Sequence, residues 1–151
     1  MWVILVILLI IVVILLTWTS KTMEYVGAGD WPVPPVTWKV PARAQYALTM
    51  TDPDAPNREA PTQADWLHWL IVDIPVHDQT LRVDQGKTLM PFAGPSPPPG
   101  SGPHRYYTRV WQQATPYTQS FTMPRAKFPT QKFAQQQGWT MIHENVQVHE
   151  K

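Results

Sequence analysis

Two aspartates in one short proline-rich stretch, followed along the chain by two histidines, are the residues of this sequence whose types could carry chemistry. The aspartates alternate with prolines in the run Asp52-Pro53-Asp54-Ala55-Pro56. Each proline fixes its own φ, removes a backbone donor and disfavours helix at the residue before it. The run therefore predicts a stiff turn that holds two carboxylates, although Asp-Pro pairs also occur in turns that have no function.

The two histidines are predicted to lie where strands enter the core. His68 stands near the start of an apolar run over 67–74, which is typical of a central strand buried on both faces. Because alternate residues of a strand share a face, the pattern groups His68 with Leu70, Val72 and Ile74, and His104 with Tyr106, Thr108 and Val110. We expect the histidines, the aspartates and Tyr106 to converge at one end of a β fold, although a lone strand histidine is usually a core residue.

Such a cluster predicts a site for a small anion. A carboxylate near a histidine raises the pKa of the imidazole, and imidazolium and hydroxyl groups both donate hydrogen bonds to phosphate. The alternative is a zinc site formed by His68, His104, Asp52 and Asp54, which would serve a metal-assisted hydrolase. No closely spaced ligand pair such as His-Glu-x-x-His supports that alternative.

Nucleophilic hydrolysis has little support in the sequence. Ser96 and Ser101 lie in the glycine- and proline-rich stretch 91–103, but neither stands in a Gly-x-Ser-x-Gly motif. Because this stretch joins two predicted strands within one domain, it is interpreted as a binding loop rather than as a flexible linker.

Composition narrows the class of protein. A chain of 151 residues has room for one domain, and its formal net charge of +1 with no basic run gives no reason to expect a nucleic-acid partner. The absence of cysteine excludes disulfides and thiol catalysis. Seventeen prolines favour a loop-rich β fold over long helices.

The N-terminal stretch 2–18 is apolar and uncharged, which predicts a short transmembrane helix. The competing interpretation is a cleaved signal peptide, but a basic n-region is absent. We therefore expect a single-pass protein of a cellular or viral envelope membrane. If the segment is cleaved, the protein is expected to be secreted. The expected organisation is an anchor over 1–20, a proline- and glycine-rich linker over 21–43 and a domain over 44–151.

Within that domain, strands are predicted over 45–51, 67–74, 105–112 and 139–148. A short helix is predicted over 131–137, with Thr130 as its cap and Gly138 as its stop.

Three motifs in this order resemble the signature regions of the phosphatidylethanolamine-binding proteins. They are Asp52-Pro-Asp-Ala-Pro56, then Trp66-Leu-His-Trp-Leu-Ile-Val-Asp-Ile-Pro75, then the stretch from Gly94 to His104-Arg-Tyr106. The segment 128–135 also resembles part of the last helix of the plant members. The resemblance covers about 46–148.

The resemblance implies a mainly β fold: an antiparallel β-sandwich with one short C-terminal helix, here following the N-terminal transmembrane helix. It implies a pocket that holds a phosphate ester or a phospholipid headgroup, with no cofactor, in a protein that regulates a protein partner rather than acting as an enzyme. A structural protein with a vestigial pocket stays open as an alternative. The family's ligand-binding positions fall at Asp52, Asp54, Pro56, Trp66, His68, Ser96, Pro97, His104 and Tyr106.

The sequence also departs from the family pattern. Ser96 replaces a glycine of the animal pocket loops, and Trp66 stands where plant members carry tyrosine or histidine. Fewer strand-forming segments precede Asp52 than the family usually has, which predicts a reduced sandwich with an exposed edge.

Overall fold

The computed structural model describes residues 44–151, and a five-stranded antiparallel sheet is its main element. The strands of this sheet lie in the order β5-β2-β1-β6-β7, and β3 and β4 form a separate two-stranded ribbon. The elements are β1 (Gln45–Asp52), β2 (Trp66–Ile74), β3 (Val76–His77), β4 (Thr80–Leu81), a 3-10 turn (Val83–Gln85), β5 (Lys87–Met90), β6 (His104–Gln113), α1 (Thr130–Gln136) and β7 (Thr140–His149).

The predicted transmembrane helix over 2–18 and the predicted linker over 21–43 lie outside the described residues. In the part of the chain from residue 44 onward, no helix is long and apolar enough to cross a membrane.

All four predicted strands and the predicted helix are present, each within one residue of the expected boundaries. The ribbon β3–β4, the 3-10 turn and β5 were not predicted, because the segment 75–90 shows no sustained alternation of apolar and polar residues.

The sheet is covered on both of its faces, which explains why β2 is buried almost throughout. On one face, which we call face A, the ribbon packs against a cluster formed by Tyr46, Leu48, Met50, Trp69, Ile71, Ile74, Leu81, Tyr106 and Val110. On the opposite face, face B, the segment 117–139 with α1 completes a cluster of Ala47, Leu67, Leu70, Val72, Trp111, Tyr117, Phe128, Phe133, Ala134 and Trp139. Within the described residues, the layers facing the large sheet are thus a short ribbon and an aromatic segment with one helix.

Two irregularities in β2 overturn the predicted grouping of His68 with Leu70, Val72 and Ile74. Leu70 and Val72 belong to face B, and Ile74 belongs to face A. The pairing of β1 with β2 shifts register opposite His68, and Asp73 has a φ of 54°. Strict alternation therefore fails at both ends of the strand. His68 instead packs edge-on against the ring of Tyr106, with 5.2 Å between the centroids.

The helix begins differently from the prediction. Thr130 is the first helical residue and forms no side-chain cap; Pro129 takes the cap position. The hydroxyl of Thr130 donates instead to Asp65 Oδ2 at 3.0 Å. The stop at Gly138 is confirmed, since this glycine has a φ of 68°.

Strand β7 forms one edge of the large sheet. It exposes apolar side chains, namely Met141, Ile142, Val146 and Val148. The predicted exposed edge depends on the stretch before β1, and residues 1–43 lie outside the described part of the chain.

Gly86 allows the turn before β5 to approach β2 closely. A methyl group added there would overlap Ile71 Cγ2 and would lie 2.9 Å from Ile74 Cγ1 and 3.1 Å from the carbonyl oxygen of Val72. We expect Gly86→Ala to lower the free energy of unfolding by about 1–3 kcal/mol, as overpacking usually does. Urea denaturation measures the change, with exposed Gln85→Ala as the control; equal stability of the two variants would contradict the close approach.

Candidate functional site

The site lies at one end of three neighbouring strands. Asp52 is the last residue of β1, Trp66 is the first residue of β2, and His104 is the first residue of β6. Because β1 runs antiparallel to both neighbours, its end meets their beginnings. Residues that are far apart in the sequence therefore come together at this end of the sheet.

Asp52 fixes the turn and the start of β6 at the same time. Its Oδ1 accepts a hydrogen bond from the backbone N–H of Asp54 at 2.7 Å, as in an Asx turn. Its Oδ2 is 2.7 Å from Nδ1 of His104, whose side chain is 1% exposed. Since a carboxylate only accepts, Nδ1 of His104 carries the proton of that bond.

Asp54 holds the next residue of β6 rather than facing the cavity. Its Oδ2 accepts from the backbone N–H and Nε of Arg105, each at 2.9 Å, and its Oδ1 accepts from Arg105 Nη2 at 2.7 Å. Arg58 adds a bond of 3.2 Å to Oδ2. Burial by itself would raise the pKa of Asp54, but these hydrogen bonds outweigh it and hold the pKa well below its usual range.

A cavity of about 320 Å³ opens beside the turn. Eight of the nine predicted ligand-binding residues line it, and Asp54 is the exception. The lining residues are Asp52, Ala55, Pro56, Gln63, Trp66, His68, Ala93, Gly94, Ser96, Pro97, Pro98, His104 and Tyr106. Gln63 is a polar wall residue that the sequence analysis missed, because nothing in the polar loop after the turn distinguishes it.

His104 is fully engaged by other residues of the protein. Its Nε2 is 3.0 Å from Ser101 Oγ, and that hydroxyl lies 2.6 Å from the carbonyl oxygen of Pro98. The order aspartate, histidine, serine is that of a catalytic triad. However, Ser101 does not line the cavity, and its hydroxyl donates to the carbonyl oxygen of Pro98. These bonds tie the 91–103 loop to His104 on β6 and, through His104, to Asp52 on β1.

His68 is held as a defined tautomer. Its Nδ1 is 2.6 Å from the carbonyl oxygen of Ala93, and its own carbonyl oxygen accepts from the backbone N–H of Ala93 at 2.9 Å. A carbonyl only accepts, so Nδ1 carries a hydrogen. Nε2 has no hydrogen-bond partner among the described residues, and the side chain lines the cavity.

The pKa of His68 is lowered, whereas the sequence predicted that it is raised. Burial lowers the pKa of His68, and this effect outweighs the hydrogen bond to Ala93 and the charge of Asp52, which raise it. Arg125 and His104 lower it further. At neutral pH the ring is therefore uncharged, and Nε2 presents a lone pair.

Tyr106 contributes a hydroxyl to the same cavity. The residue is 1% exposed, and its hydroxyl has no hydrogen-bond partner within residues 44–151. Burial, followed by the charges of Asp52 and Asp54, raises the pKa of Tyr106 well above its usual value. The hydroxyl consequently keeps its proton and is a donor available to a ligand.

Arg125 is a positioning residue that the sequence analysis also missed. Its Nη1 donates to the carbonyl oxygens of Leu67 and His68 at 2.9 and 3.1 Å, and its Nη2 donates to that of Pro91 at 2.9 Å. The guanidinium thus joins β2 to the beginning of the 91–103 loop. No local sequence signal marks an arginine whose partners are all backbone carbonyls.

The alternative zinc site is not assembled. In the part of the chain that the structure describes, no group of three or more histidine, aspartate or glutamate side chains could hold a metal ion. The physical reason is that both oxygens of Asp54 are used by arginines, while Asp52 and His104 are bonded to each other.

The sequence profile of the phosphatidylethanolamine-binding proteins matches residues 16–149. The chain belongs to this family. A protein of Drosophila melanogaster, named "Putative odorant-binding protein A5", is 40% identical to this chain over 81 residues. These residues are 54% of this chain and 37% of the Drosophila protein. The chain thus spans less than two thirds of the length of this relative.

Solved structures agree with the family fold. A carboxypeptidase Y inhibitor, solved in complex with its cognate proteinase, is 23% identical with a TM-score of 0.63, covering 76% of this chain and 63% of the inhibitor. The phosphatidylethanolamine-binding protein of Plasmodium vivax is 22% identical with a TM-score of 0.54, covering 74% of this chain and 66% of its own. At these identities the likeness concerns the fold alone.

The bond network of Asp54 predicts a stability effect that depends on pH. Asp54→Asn removes the charge from the hydrogen bonds to Arg105 and Arg58, and we expect it to lower the free energy of unfolding by about 1.5–3 kcal/mol at pH 7. Because the folded pKa is depressed, the contribution is present above the unfolded pKa of about 3.9 and is lost as the pH falls towards the folded value. The difference between the two proteins should shrink below about pH 4.

Denaturation between pH 3 and pH 7 measures this dependence. Asp84→Asn is the matched control, since Asp84 forms a similar ion pair with Arg82 but lies exposed. Little change is expected there. A difference at Asp54 that stays constant down to pH 3 would contradict the assignment.

Proposed function

We propose that this chain is a binding module that holds a small phosphate-bearing ligand, a phosphate ester or a phospholipid headgroup, in the cavity at the end of the sheet. The observation that carries the proposal is the pair of polar atoms without partners on one wall, the hydroxyl of Tyr106 and Nε2 of His68. Buried polar atoms are normally hydrogen-bonded, and polar atoms left open to a cavity are what a ligand would satisfy.

The size and the lining of the cavity support a small ligand. Ligand pockets commonly span about 300–1,000 Å³, and this cavity lies at the lower end of that range. Its walls combine a few polar side chains with the apolar surfaces of Trp66, Ala55 and three prolines. A compact polar headgroup followed by a short apolar portion suits such walls.

We propose a binding role rather than a catalytic one for the same residues. A nucleophile needs a neighbouring base that is free to take its proton. Here Ser101, the serine beside His104, does not line the cavity, and its hydroxyl donates to the carbonyl oxygen of Pro98. The remaining wall groups can orient a ligand by hydrogen bonds.

We also propose that this chain is located at a membrane. The apolar stretch 2–18 supports a single-pass membrane tether, which would keep the cavity near phospholipid headgroups. A regulated protein partner is also proposed. One solved relative of the same fold is a proteinase inhibitor in complex with its proteinase.

The hydroxyl of Tyr106 provides the direct test. We expect glycerol 3-phosphate to stabilise the full chain in non-ionic detergent, and Tyr106→Phe to weaken its binding by up to about tenfold, the worth of one hydrogen bond of about 0.5–1.5 kcal/mol. Tyr107→Phe is the matched control, because Tyr107 follows on the same strand and does not line the cavity.

Calorimetric titration and thermal denaturation give the two readouts. Glycerophosphoethanolamine, titrated in parallel, represents the phospholipid headgroup. If neither compound binds or raises the melting temperature at millimolar concentration, the proposed function is wrong. Equal losses in Tyr106→Phe and Tyr107→Phe would move the binding site away from this wall.

A further inference from the structure

We propose that a phosphate group binds in this cavity together with one extra proton, held between a ligand oxygen and Nε2 of His68, so that phosphate monoesters are preferred to sulfate esters. This inference rests on the proposed function and specifies the ligand class. It follows from which atoms of the wall can donate and which can only accept.

The hydrogen bond between His68 and Ala93 determines which nitrogen of the ring carries the hydrogen. At 2.6 Å from a carbonyl oxygen, Nδ1 must be the protonated nitrogen. The reciprocal bond from the N–H of Ala93 to the carbonyl oxygen of His68, together with the donation from Arg125 Nη1, holds this part of β2 against the loop. The ring therefore cannot turn its N–H towards the cavity without breaking this partly buried hydrogen bond. A neutral His68 offers an acceptor to the ligand.

The charged and titratable groups around His68 make a fully ionised ligand unfavourable. Asp52 on β1 lines the same cavity and is negative, and Tyr106 on β6 retains its proton. Arg125 on the segment before α1 and His104 on β6 both disfavour a positive charge on His68. Within residues 91–103 the loop contributes no charged side chain. An anion facing both the lone pair of Nε2 and the carboxylate of Asp52 is thus repelled unless a proton comes with it.

A phosphate monoester can bring that proton. Its second ionisation lies near pH 6, so a P–OH group is accessible close to neutral pH. The P–OH would donate to Nε2 of His68, while another oxygen of the same phosphate accepts from the hydroxyl of Tyr106. Glycerol 3-phosphate and phosphatidic acid share this group.

Sulfate esters and phosphodiesters have no such proton to give. For them the proton must be placed on His68 itself, which burial disfavours. Each unit by which the pKa of His68 lies below the second pKa of the monoester corresponds to about tenfold weaker binding of the sulfate ester.

The test is calorimetric titration of the full chain in detergent at pH 7.5 with two probes, glycerol 3-phosphate and glycerol 3-sulfate. Each titration is run in two buffers of different ionisation enthalpy, which reports the number of protons taken up. We expect uptake of close to one proton with either probe and tighter binding of the phosphate. At pH 5.5 we expect uptake with the phosphate to fall towards zero, because the ligand already carries the proton.

His68→Gln provides the matched variant, because an amide at this position can donate without titrating. Proton uptake at His68 and the preference for phosphate should both disappear in it, and His77→Gln, an exposed histidine on β3, should retain both. Should His68→Gln fail to fold, the two-buffer titration of the unmodified chain still measures the proton uptake and the preference for phosphate, and so tests the inference.

The outcomes separate the two proposals. Binding of both probes with equal affinity and no proton uptake at pH 7.5 would overturn this inference and leave the proposed function standing. No binding of either probe, of glycerophosphoethanolamine or of dihexanoyl phosphatidic acid would overturn both. Dihexanoyl phosphatidic acid, added as a third probe, distinguishes the source: tighter binding than glycerol 3-phosphate identifies a lipid headgroup, and equal binding identifies a soluble phosphate monoester, each in agreement with the inference.

Discussion

Two carboxylates at the end of β1 hold the beginning of β6, and the position of the cavity depends on these bonds. Asp52 bonds to His104 and Asp54 bonds to Arg105, so consecutive residues of β6 are tied to alternate residues of one turn. The prolines of the turn keep it from continuing as strand or helix. Because His104 and Arg105 are held by these bonds, Tyr106 lies beside His68 and lines the cavity.

This arrangement separates the charged groups from the groups that meet a ligand. The charges near the turn are mostly satisfied within the protein: Asp54 by arginines, Asp52 by His104, and Arg125 by three backbone carbonyls. The two wall groups that have no hydrogen-bond partner within residues 44–151, the hydroxyl of Tyr106 and Nε2 of His68, are neutral. A cavity of this kind recognises hydrogen-bonding geometry and proton position more than it recognises net charge.

Sequence reasoning predicted the strands and most of the cavity wall because the information is local. The apolar run of β2, the alternation in β6 and the proline-rich turn are patterns of neighbouring residues, and the motif order added the loop residues Ser96 and Pro97. What could not be predicted is long-range. The grouping of His68 with Leu70 failed because a register shift cannot be seen in a single strand. The three carbonyl partners of Arg125 lie 34 to 58 residues away in the chain.

The same distinction explains why the sequence predicted a cationic His68, whereas the ring is neutral in the structure. From composition, a histidine near aspartates is expected to be cationic, and an anion site follows. In the structure Asp52 is bonded to His104, and burial lowers the pKa of His68 by more than the charge of Asp52 raises it. The wall contributes few backbone donors in compensation, because Pro56, Pro97 and Pro98 have no N–H and that of Ala93 is used by His68. A ligand that enters this cavity must therefore supply the missing hydrogen itself or take it from solvent.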